Sequence, residues 1–234
     1  MRRAFGRRSV LFKRASAVIR TKVDTLWFKR CSAYHLQLFP ASETVSKVCA
    51  LQDIIECECD GPLLRVPPQS LHMTVVTLLN AASQLSKSND EVWSLKGKGW
   101  QETIERSLSA TFPFDLCFRE VASSEAAIFL KAQEPPELRR LRSTISDAIS
   151  FEDWRPKPPR IAHITLFRFS AEEWLSMPNI DAELLPIEFK VEGLQLVKER
   201  RYPSVEVDIL DEVPFRGAGN GSADSGNCHL ADLT

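Results

Sequence analysis

Two histidines of this 234-residue sequence stand in the same short motif at two distant places. His72 lies in PPQSLHMT (67–74) and His163 lies in PPRIAHIT (158–165), so both copies carry a double proline and then His-aliphatic-Thr. A histidine side chain can accept or donate a proton near neutral pH, and a neighbouring hydroxyl can hydrogen-bond to an oxyanion. Two such pairs would supply the base and the acid that cleavage of a phosphodiester bond requires.

The reaction that these motifs predict is an in-line displacement at phosphorus. One neutral histidine would activate the attacking oxygen and one protonated histidine would protonate the leaving oxygen, each transfer being typically worth about 10²–10⁴ in rate. Thr74 and Thr165 would donate hydrogen bonds to the non-bridging oxygens. The motifs leave open which of His72 and His163 is the acid. Because neither step needs a Lewis acid, we expect no metal ion and no other cofactor.

The flanking sequence predicts that each histidine lies on a strand. The segments SLHMTVVTLL (70–79) and IAHITLFRF (161–169) are rich in β-branched and aromatic residues. Since side chains alternate between the two faces of a strand, each His would share a face with the Thr two residues later, while the residues between them enter the core. Strict alternation places Arg168 on the face opposite His163, so Arg168 would reach a phosphate only where the strand ends or bulges.

The remaining elements predict an α+β body over residues 31–213 with largely antiparallel strands. Each half runs strand, helix, double proline and His-containing strand, so a pseudo-twofold arrangement would bring the two His-Thr pairs together across a cleft. The segment 80–100 is predicted to be a long loop, at least to residue 92, and is either a lid or an inert insertion. The other predicted strands are 33–39, 112–121, 125–133, 186–200 and 202–213, and the predicted helices are 41–58, 99–110, 136–151 and 171–177.

The charge of the chain is distributed unevenly between a basic beginning and an acidic remainder. Residues 1–30 hold ten Lys or Arg and one acid, whereas the whole chain has a formal net charge of −1. Apolar residues at helical steps from Phe12 to Leu26 predict an amphipathic helix. Three interpretations stay open: a removable organelle-targeting segment, a basic arm that contacts RNA or an anionic membrane, and a solvated extension or helix packed on the domain.

Composition sets further limits on the class of protein. The chain is 44% hydrophobic and 26% charged, as in ordinary soluble domains, and it has no apolar run of membrane-spanning length. The six cysteines show no paired spacing, which favours a reduced compartment. We therefore expect a cytoplasmic protein, or a mitochondrial one if residues 1–30 are a transit peptide. Cys57 and Cys59 alone do not make a structural zinc site. The glycine-rich tail, 214–234, is predicted to be disordered.

The motifs resemble those of the 2H phosphoesterase superfamily, which includes 2′-5′ RNA ligase and RNA 2′,3′-cyclic phosphodiesterase proteins. The resemblance covers about 180 residues and lies on His72-Met73-Thr74, on HITLFR (163–168) and on the closing hairpin FKVEGLQLVKERRYPSVEVDIL, which contains Tyr202. It implies a duplicated, bilobal α+β fold with two antiparallel sheets flanking a central cleft and helices outside. It implies catalytic roles for His72 and His163, phosphate binding by Thr74, Thr165 and Arg168, and packing of a base or ribose against Tyr202.

The resemblance also implies an activity and its alternatives. The expected activity is metal-independent hydrolysis of 2′,3′-cyclic or 2′-5′ phosphodiester bonds in RNA ends or small nucleotides, and the alternative is a nucleotide- or RNA-binding module without turnover. The acidic body favours small nucleotides or RNA ends over long RNA, which prefers a positive groove. We expect a monomer without membrane binding. His35 belongs to no family motif and is expected to be structural or to edge the cleft, and Lys131 and Arg119 are expected to be solvated although they could bind phosphate.

Overall fold

The computed structural model describes residues 18–82, 85–178 and 184–216, which form eleven strands and three helices. The helices are α1 (Ser42–Glu58), α2 (Asn89–Ser109) and α3 (Pro136–Ala148). The strands are β1 (Val18–Arg20), β2 (Arg30–Leu38), β3 (Leu63–Arg65), β4 (Met73–Leu79), β5 (Phe114–Ser124), β6 (Ala127–Ala132), β7 (Ala162–Phe169), β8 (Trp174–Ser176), β9 (Ile187–Val191), β10 (Gly193–Arg201) and β11 (Glu206–Pro214).

Two antiparallel sheets make up the two lobes, and each sheet carries one His-Thr pair. The first sheet has the order β11-β10-β2-β4, and His72 directly precedes β4. The second sheet has the order β3-β7-β6-β5-β9, and His163 lies on β7. The motif strands β4 and β7 contact each other where the lobes meet, which confirms the predicted duplicated α+β fold. A small third sheet pairs β1 with β8.

The helices are exchanged between the two halves of the fold. Helix α1 follows the first strand of the first lobe, yet it packs against β9 of the second sheet. Helix α3 follows the second lobe's hairpin, yet it packs against β4 of the first sheet. Both helices bury apolar residues at helical spacing, which are Val48, Leu51 and Ile55 on α1 and Leu138, Leu141 and Ile145 on α3. The two lobes are therefore joined by reciprocal packing as well as by the chain.

Helix α2 begins earlier than the sequence analysis predicted. It starts at Asn89 and not near residue 99, because Ser88 and Glu91 form a reciprocal capping box in which each side chain accepts from the other's backbone N–H. About half of the predicted loop 80–100 is therefore helical. The Ser-x-x-Glu spacing was the sequence signal for this start.

Two further predictions about local structure were wrong. The segment 171–177 does not form a helix, since Trp174–Ser176 is strand β8 and pairs with β1. The amphipathic helix expected between Phe12 and Leu26 is replaced, in its described part, by strand β1 and a turn. Residues 1–17 lie outside the described residues. In both cases short strands stabilise each other across a long sequence separation, which local periodicity does not report.

The closing hairpin also differs from the prediction. Residues 186–200 do not form one strand, because the chain passes at Glu192 from β9 in the second sheet to β10 in the first. The hairpin consists of β10 and β11, joined through residues 202–205. The predicted disorder of the tail stays a prediction, since residues 217–234 lie outside the described part.

The described end of the basic segment packs on the domain. Thr21 is buried, and its hydroxyl donates to the Ala171 carbonyl at 2.7 Å and accepts from the Glu173 N–H at 2.8 Å. The Asp24 N–H donates to the Phe169 carbonyl at 2.9 Å. The domain boundary at residue 31 stays a prediction, and among the described residues those from 18 onwards already contact the body. No helix within the described ranges is long and apolar enough to cross a membrane.

Candidate active site

A cleft of about 200 Å³ lies where the two sheets meet. The first lobe contributes His72, Thr74 and Thr77 to its lining, and the second lobe contributes His163, Thr165 and Arg168. Tyr202 lines it from the turn after β10. All six residues that the sequence analysis proposed for the site thus line one cleft. Their roles stay predictions, and Thr77 is an addition that the sequence analysis missed.

A β-bulge in each motif strand explains how Arg168 and Thr77 reach the cleft. On β7, Thr165 pairs with Phe129 and Phe167 pairs with Ile128, so Leu166 is an extra residue. On β4, Val75 is the extra residue in the same way. In each strand two consecutive apolar residues are therefore buried, and the residue five positions after the histidine turns towards the cleft. The bulge that Arg168 required is present, and Thr77 is its counterpart in the first motif.

Buried side chains from the exchanged helices bind the carbonyls of these bulges. Arg142 on α3 is 2% exposed and donates to the Val75 and Thr74 carbonyls at 3.0 and 3.1 Å. Gln52 on α1 is fully buried and donates to the Leu166 carbonyl at 2.9 Å. A bulge leaves backbone groups without a ladder partner, and a buried carbonyl needs a donor. Each helix therefore stabilises the strand geometry that directs a polar side chain into the cleft.

We expect Gln52→Met to lower the free energy of unfolding by about 1–3 kcal/mol, because it leaves the Leu166 and Val66 carbonyls buried without these donors. Urea unfolding monitored by circular dichroism measures this difference. Ser46→Ala, an exposed change on the same helix, is the matched control and should shift stability by less than about 0.5 kcal/mol. A Gln52→Met variant as stable as that control would mean that the bulge does not depend on this contact.

Both histidines are held in the same orientation by the backbone. His72 Nδ1 lies 2.7 Å from the Ser70 carbonyl, and His163 Nδ1 lies 3.2 Å from the Ile161 carbonyl. Since a carbonyl oxygen only accepts, Nδ1 of each ring carries the proton and Nε2 is the free lone pair of the neutral ring. Phe39 and Phe129 pack against the two rings, with centroids 5.9 and 5.5 Å away. Each imidazole is thereby fixed in the tautomer that a general base at Nε2 requires.

Burial makes both imidazoles weaker bases than usual. It lowers the pKa of His72 to about 4, and the nearby imidazoles of His35 and His163 act in the same direction. Burial also lowers the pKa of His163, and the charge of Arg168 adds to the effect. Both side chains are therefore neutral at pH 7. A bound anion would favour the charged form of either ring and so raise its pKa.

The pH dependence of stability follows from these shifts. His72 titrates near 6.5 in the unfolded chain and near 4 in the folded one, so the unfolded state binds the extra proton between these values. The contribution of neutral His72 to the free energy of unfolding is fully present above pH 6.5. The free energy of unfolding is expected to fall as the pH drops towards 4. Urea unfolding at several pH values measures the slope, and His72→Gln should reduce it. An unchanged slope in His72→Gln would mean that His72 does not cause the pH dependence of stability.

The side chain of Arg168 is held by residues from both ends of the domain. Its Nε lies 3.7 Å from Asp24 Oδ2, and its guanidinium carbon lies 5.8 Å from the centroid of the Tyr202 ring. Burial raises the pKa of Tyr202 to about 12, so its hydroxyl stays neutral. Leu26 also lines the cleft. The described end of the basic segment therefore contributes a wall of the cleft and an acid beside its arginine.

A third imidazole and a carboxylate form another part of the wall. His35 Nδ1 lies 3.2 Å from the Thr77 hydroxyl, and His35 Nε2 lies 3.4 Å from Glu199 Oε2. The Glu199 side chain is 5% exposed. Burial alone would raise the pKa of Glu199, but hydrogen bonds from His35 and from the Ser204 N–H outweigh it and keep this pKa low. His35 thus edges the cleft, and through it a buried carboxylate orients the hydroxyl of Thr77.

The remaining candidates lie away from the cleft lining. Lys131 is paired with Glu120 at 3.0 Å, and Arg119 lies 3.8 Å from Glu188. Cys57 is exposed while Cys59 is buried, and no cluster of possible metal ligands occurs among the residues that the structure describes. Asn80 and Ala81, at the start of the shortened loop, do line the cleft.

The fold and the paired motifs are of the kind found in the 2H phosphoesterase class of proteins. A family model described as the 2′-5′ RNA ligase superfamily matches residues 33–203. The match spans most of the chain, so the protein belongs to the 2′-5′ RNA ligase superfamily, a family that contains phosphoesterases. A search of curated proteins finds no matching sequence.

Solved structures of similar fold include two bacterial proteins. TT0787 of Thermus thermophilus has a TM-score of 0.58 at 21% identity, covering 79% of this chain and 98% of that one. Escherichia coli LigT complexed with 3′-AMP has a TM-score of 0.57 at 15% identity, covering 80% of this chain and 99% of that one. The same E. coli protein complexed with NADP+ also scores 0.57 at 15% identity, with 79% and 98% coverage. At these identities the likeness shows the shared fold.

Proposed function

We propose that this protein is a metal-independent phosphodiesterase that hydrolyses 2′,3′-cyclic or 2′-5′ phosphodiester bonds of RNA ends or small nucleotides. The observation that carries the proposal is the pair of imidazoles in one cleft, each with Nδ1 bound to a backbone carbonyl and each followed by a threonine that lines the same cleft. Nucleotide binding alone does not require two such proton carriers. Two-histidine acid–base catalysis does require them.

The proposed reaction uses the groups of the cleft as follows. Nε2 of one neutral histidine takes a proton from a water molecule, whose oxygen attacks phosphorus. The opposite P–O bond breaks, and the protonated Nε2 of the other histidine gives its proton to the leaving ribose oxygen. Hydroxyls of Thr74 and Thr165 and the guanidinium of Arg168 would bind the non-bridging oxygens. A cyclic phosphate would yield a phosphomonoester, and the two histidines would exchange roles in the reverse direction.

The charge of the cleft supports a diester substrate. Arg168 lies beside Asp24, Glu199 also lines the cleft, and both histidines are neutral at pH 7. These groups give the cleft no net positive charge, so it suits a singly charged phosphodiester better than a doubly charged phosphomonoester. Binding of the diester would supply the negative charge that lets one histidine take up the catalytic proton. Its hydrolysis would then favour release of the product.

The comparisons agree with a nucleotide substrate. Structures of E. coli LigT hold 3′-AMP, NADP+, ATP or phosphate. We extend that ligand class to this chain as part of the proposal, together with the specific bonds and the metal independence.

The test is an activity assay of the full chain in EDTA with three substrates: a 2′,3′-cyclic mononucleotide, RNA ending in a cyclic phosphate, and 2′-5′ oligoadenylate. Phosphorus NMR assigns the products. Conversion of a cyclic phosphate to a single phosphomonoester isomer would support the proposal and identify the leaving oxygen. Cleavage of the 2′-5′ linkage alone would restrict the proposed substrates to 2′-5′ oligonucleotides. The double variant His72→Ala/His163→Ala controls for contaminating nucleases. An absence of turnover for all three substrates would contradict the proposal.

The low pKa of His72 favours one alternative function. A cleft whose histidines both stay neutral with ligand bound would hold nucleotides without cleaving them. The same samples distinguish the two functions, because a binding module would give saturable 3′-AMP binding by calorimetry and no product in the NMR spectrum.

A further inference from the structure

A second groove adjoins the cleft and shares Thr77 and Asn80 with it. The groove has a volume of about 350 Å³, and beyond the shared residues its lining includes Trp154, Arg155 and Lys157. The central cleft, at about 200 Å³, is smaller than the roughly 300–1,000 Å³ of typical ligand pockets. The cleft alone therefore suits a phosphate and its sugar, and a longer ligand would continue into the groove past Thr77.

The segment that forms this groove is built into the fold beside the catalytic strand. It connects α3 to β7, the strand that carries His163. Phe151 and Trp154 close a tight turn through two backbone hydrogen bonds of 3.0 and 2.9 Å. The ring of Trp154 is half-buried and packs near Trp100, with centroids 6.5 Å apart. The aromatic side chain is thereby placed at the groove before any ligand arrives.

Two exposed cations lie together in this groove, whereas the cations chosen as a comparison elsewhere on the domain are paired. Arg119 and Lys190 are each within 4 Å of a carboxylate. Arg155 and Lys157 are exposed, and no hydrogen bond or ion pair holds either head group within the part of the chain that the structure describes. Asp153 is the acid among the groove residues, so the groove has a net positive charge on an acidic body. Unpaired cations beside an aromatic ring are the combination that binds single-stranded nucleic acid.

We propose that this groove binds the nucleotide next to the terminal one in an oligonucleotide substrate. Its base stacks on Trp154, and its phosphate is bound by Arg155 and Lys157. The proposal rests on the proposed function of the cleft, and it assigns RNA ends as preferred substrates over mononucleotides. Stacking on an aromatic ring is tolerant of sequence, so the groove selects for chain length and not for a particular base.

The experiment compares kcat/KM for uridine 2′,3′-cyclic phosphate with kcat/KM for a uridine trinucleotide that ends in the same cyclic phosphate. The full chain in EDTA is expected to prefer the trinucleotide by about 10-fold or more, the size of one stacked base. Arg155→Gln/Lys157→Gln should lower the value for the trinucleotide by about 10-fold and leave the mononucleotide within about twofold. Arg119→Gln/Lys190→Gln removes the same charge away from the groove and should change neither value.

Trp154 is tested in the same assay with two variants. Trp154→Ala should reduce the preference for the trinucleotide, and Trp154→Phe should keep most of it because an aromatic face remains. Since Trp154 also packs against the core, the exposed Arg155→Gln/Lys157→Gln variant decides the question if Trp154→Ala does not fold. Equal kcat/KM values for the two substrates, or equal losses on both in the charge variant, would overturn the proposal.

A binding measurement tests the proposed nucleotide binding in the groove independently of the proposed catalysis in the cleft. If neither substrate is turned over, the proposed function of the cleft fails. The groove is then tested by fluorescence anisotropy with a labelled trinucleotide that ends in a 3′-phosphate. Binding to Arg155→Gln/Lys157→Gln about fivefold or more weaker than to the control variant supports the groove. Equal binding to both variants overturns it.

Discussion

Removal of either His72 or His163 is expected to lower kcat for a 2′,3′-cyclic nucleotide by about 10²–10⁴. Each Nε2 is assigned one of the two proton transfers, and each Nδ1 is already bound to a backbone carbonyl. His72→Ala/His163→Ala should lose little more than either single variant, because groups that act as one unit are not additive. Steady-state kinetics of the three variants in EDTA measure these losses.

The matched control for these variants is His229→Ala, the remaining histidine outside the cleft. It lies beyond the described residues, and the sequence predicts no role for it. The pH profile separates a catalytic from a structural loss: kcat/KM of the unaltered chain should be bell-shaped, and each single variant should lose one limb. Binding of 3′-AMP by calorimetry shows that a variant is folded. Near-normal kcat for folded His163→Ala would contradict the acid–base assignment.

Alternation along strands predicted the positions of the His-Thr pairs correctly. In each motif the residue between His and Thr is buried, as Met73 and Ile164 show, while the His and Thr face the cleft. The duplicated order of strand, helix and double proline likewise predicted one cleft between the two His-Thr pairs, and the family resemblance implied the two sheets that flank it. These features depend on local patterns, which a sequence displays directly.

The bulges could not be placed from the same alternation. Strict period-two counting puts Arg168 on the wrong face, and the extra residue is stabilised by Gln52, which lies more than a hundred positions earlier in the chain. Arg142 on α3 stabilises the bulge in β4 by donating to the Val75 carbonyl, and it too lies far from that strand in the sequence. The pairs Val75-Val76 and Leu166-Phe167 interrupt the alternation and could have indicated bulges. Choosing between a bulge and a strand end still required the tertiary partners.

The sequence also did not predict the contacts of cleft residues that belong to no motif. His35, Thr77 and Glu199 come from three different strands, and only the sheet order β10-β2-β4 brings them together. Asp24 belongs to a segment whose basic composition indicated an extension. Its contact with Arg168 depends on packing of that segment against the domain. Long-range pairings of this kind leave no periodic signal in one sequence.

Arg168 has N–H donors that remain available to a phosphate. Its substitution is therefore expected to cause the second large loss of activity, after that of the two histidines. Its Nη1 donates weakly to the Ala126 carbonyl at 3.4 Å, and its Nε and Asp24 Oδ2 are buried without a hydrogen-bond partner among the described residues. A guanidinium has five N–H donors in a fixed fork. The pair with Asp24 therefore holds the side chain in place without saturating it. A phosphate in the cleft would complete its hydrogen bonds.

Arg168→Met is accordingly expected to lower kcat/KM for a cyclic nucleotide by about 10²–10³, the usual loss for one donor to a developing oxyanion. Arg168→Lys should recover only part of it, since an ammonium keeps the charge but not the fork. Because Arg168→Met leaves Asp24 buried without its partner, Asp24→Asn/Arg168→Met provides a second background with better folding. Steady-state kinetics, with thermal unfolding as the check on folding, decide the outcome. A folded Arg168→Met variant within about threefold of the unaltered chain would show that the bulge in β7 serves packing and that the phosphate is bound by the threonines alone.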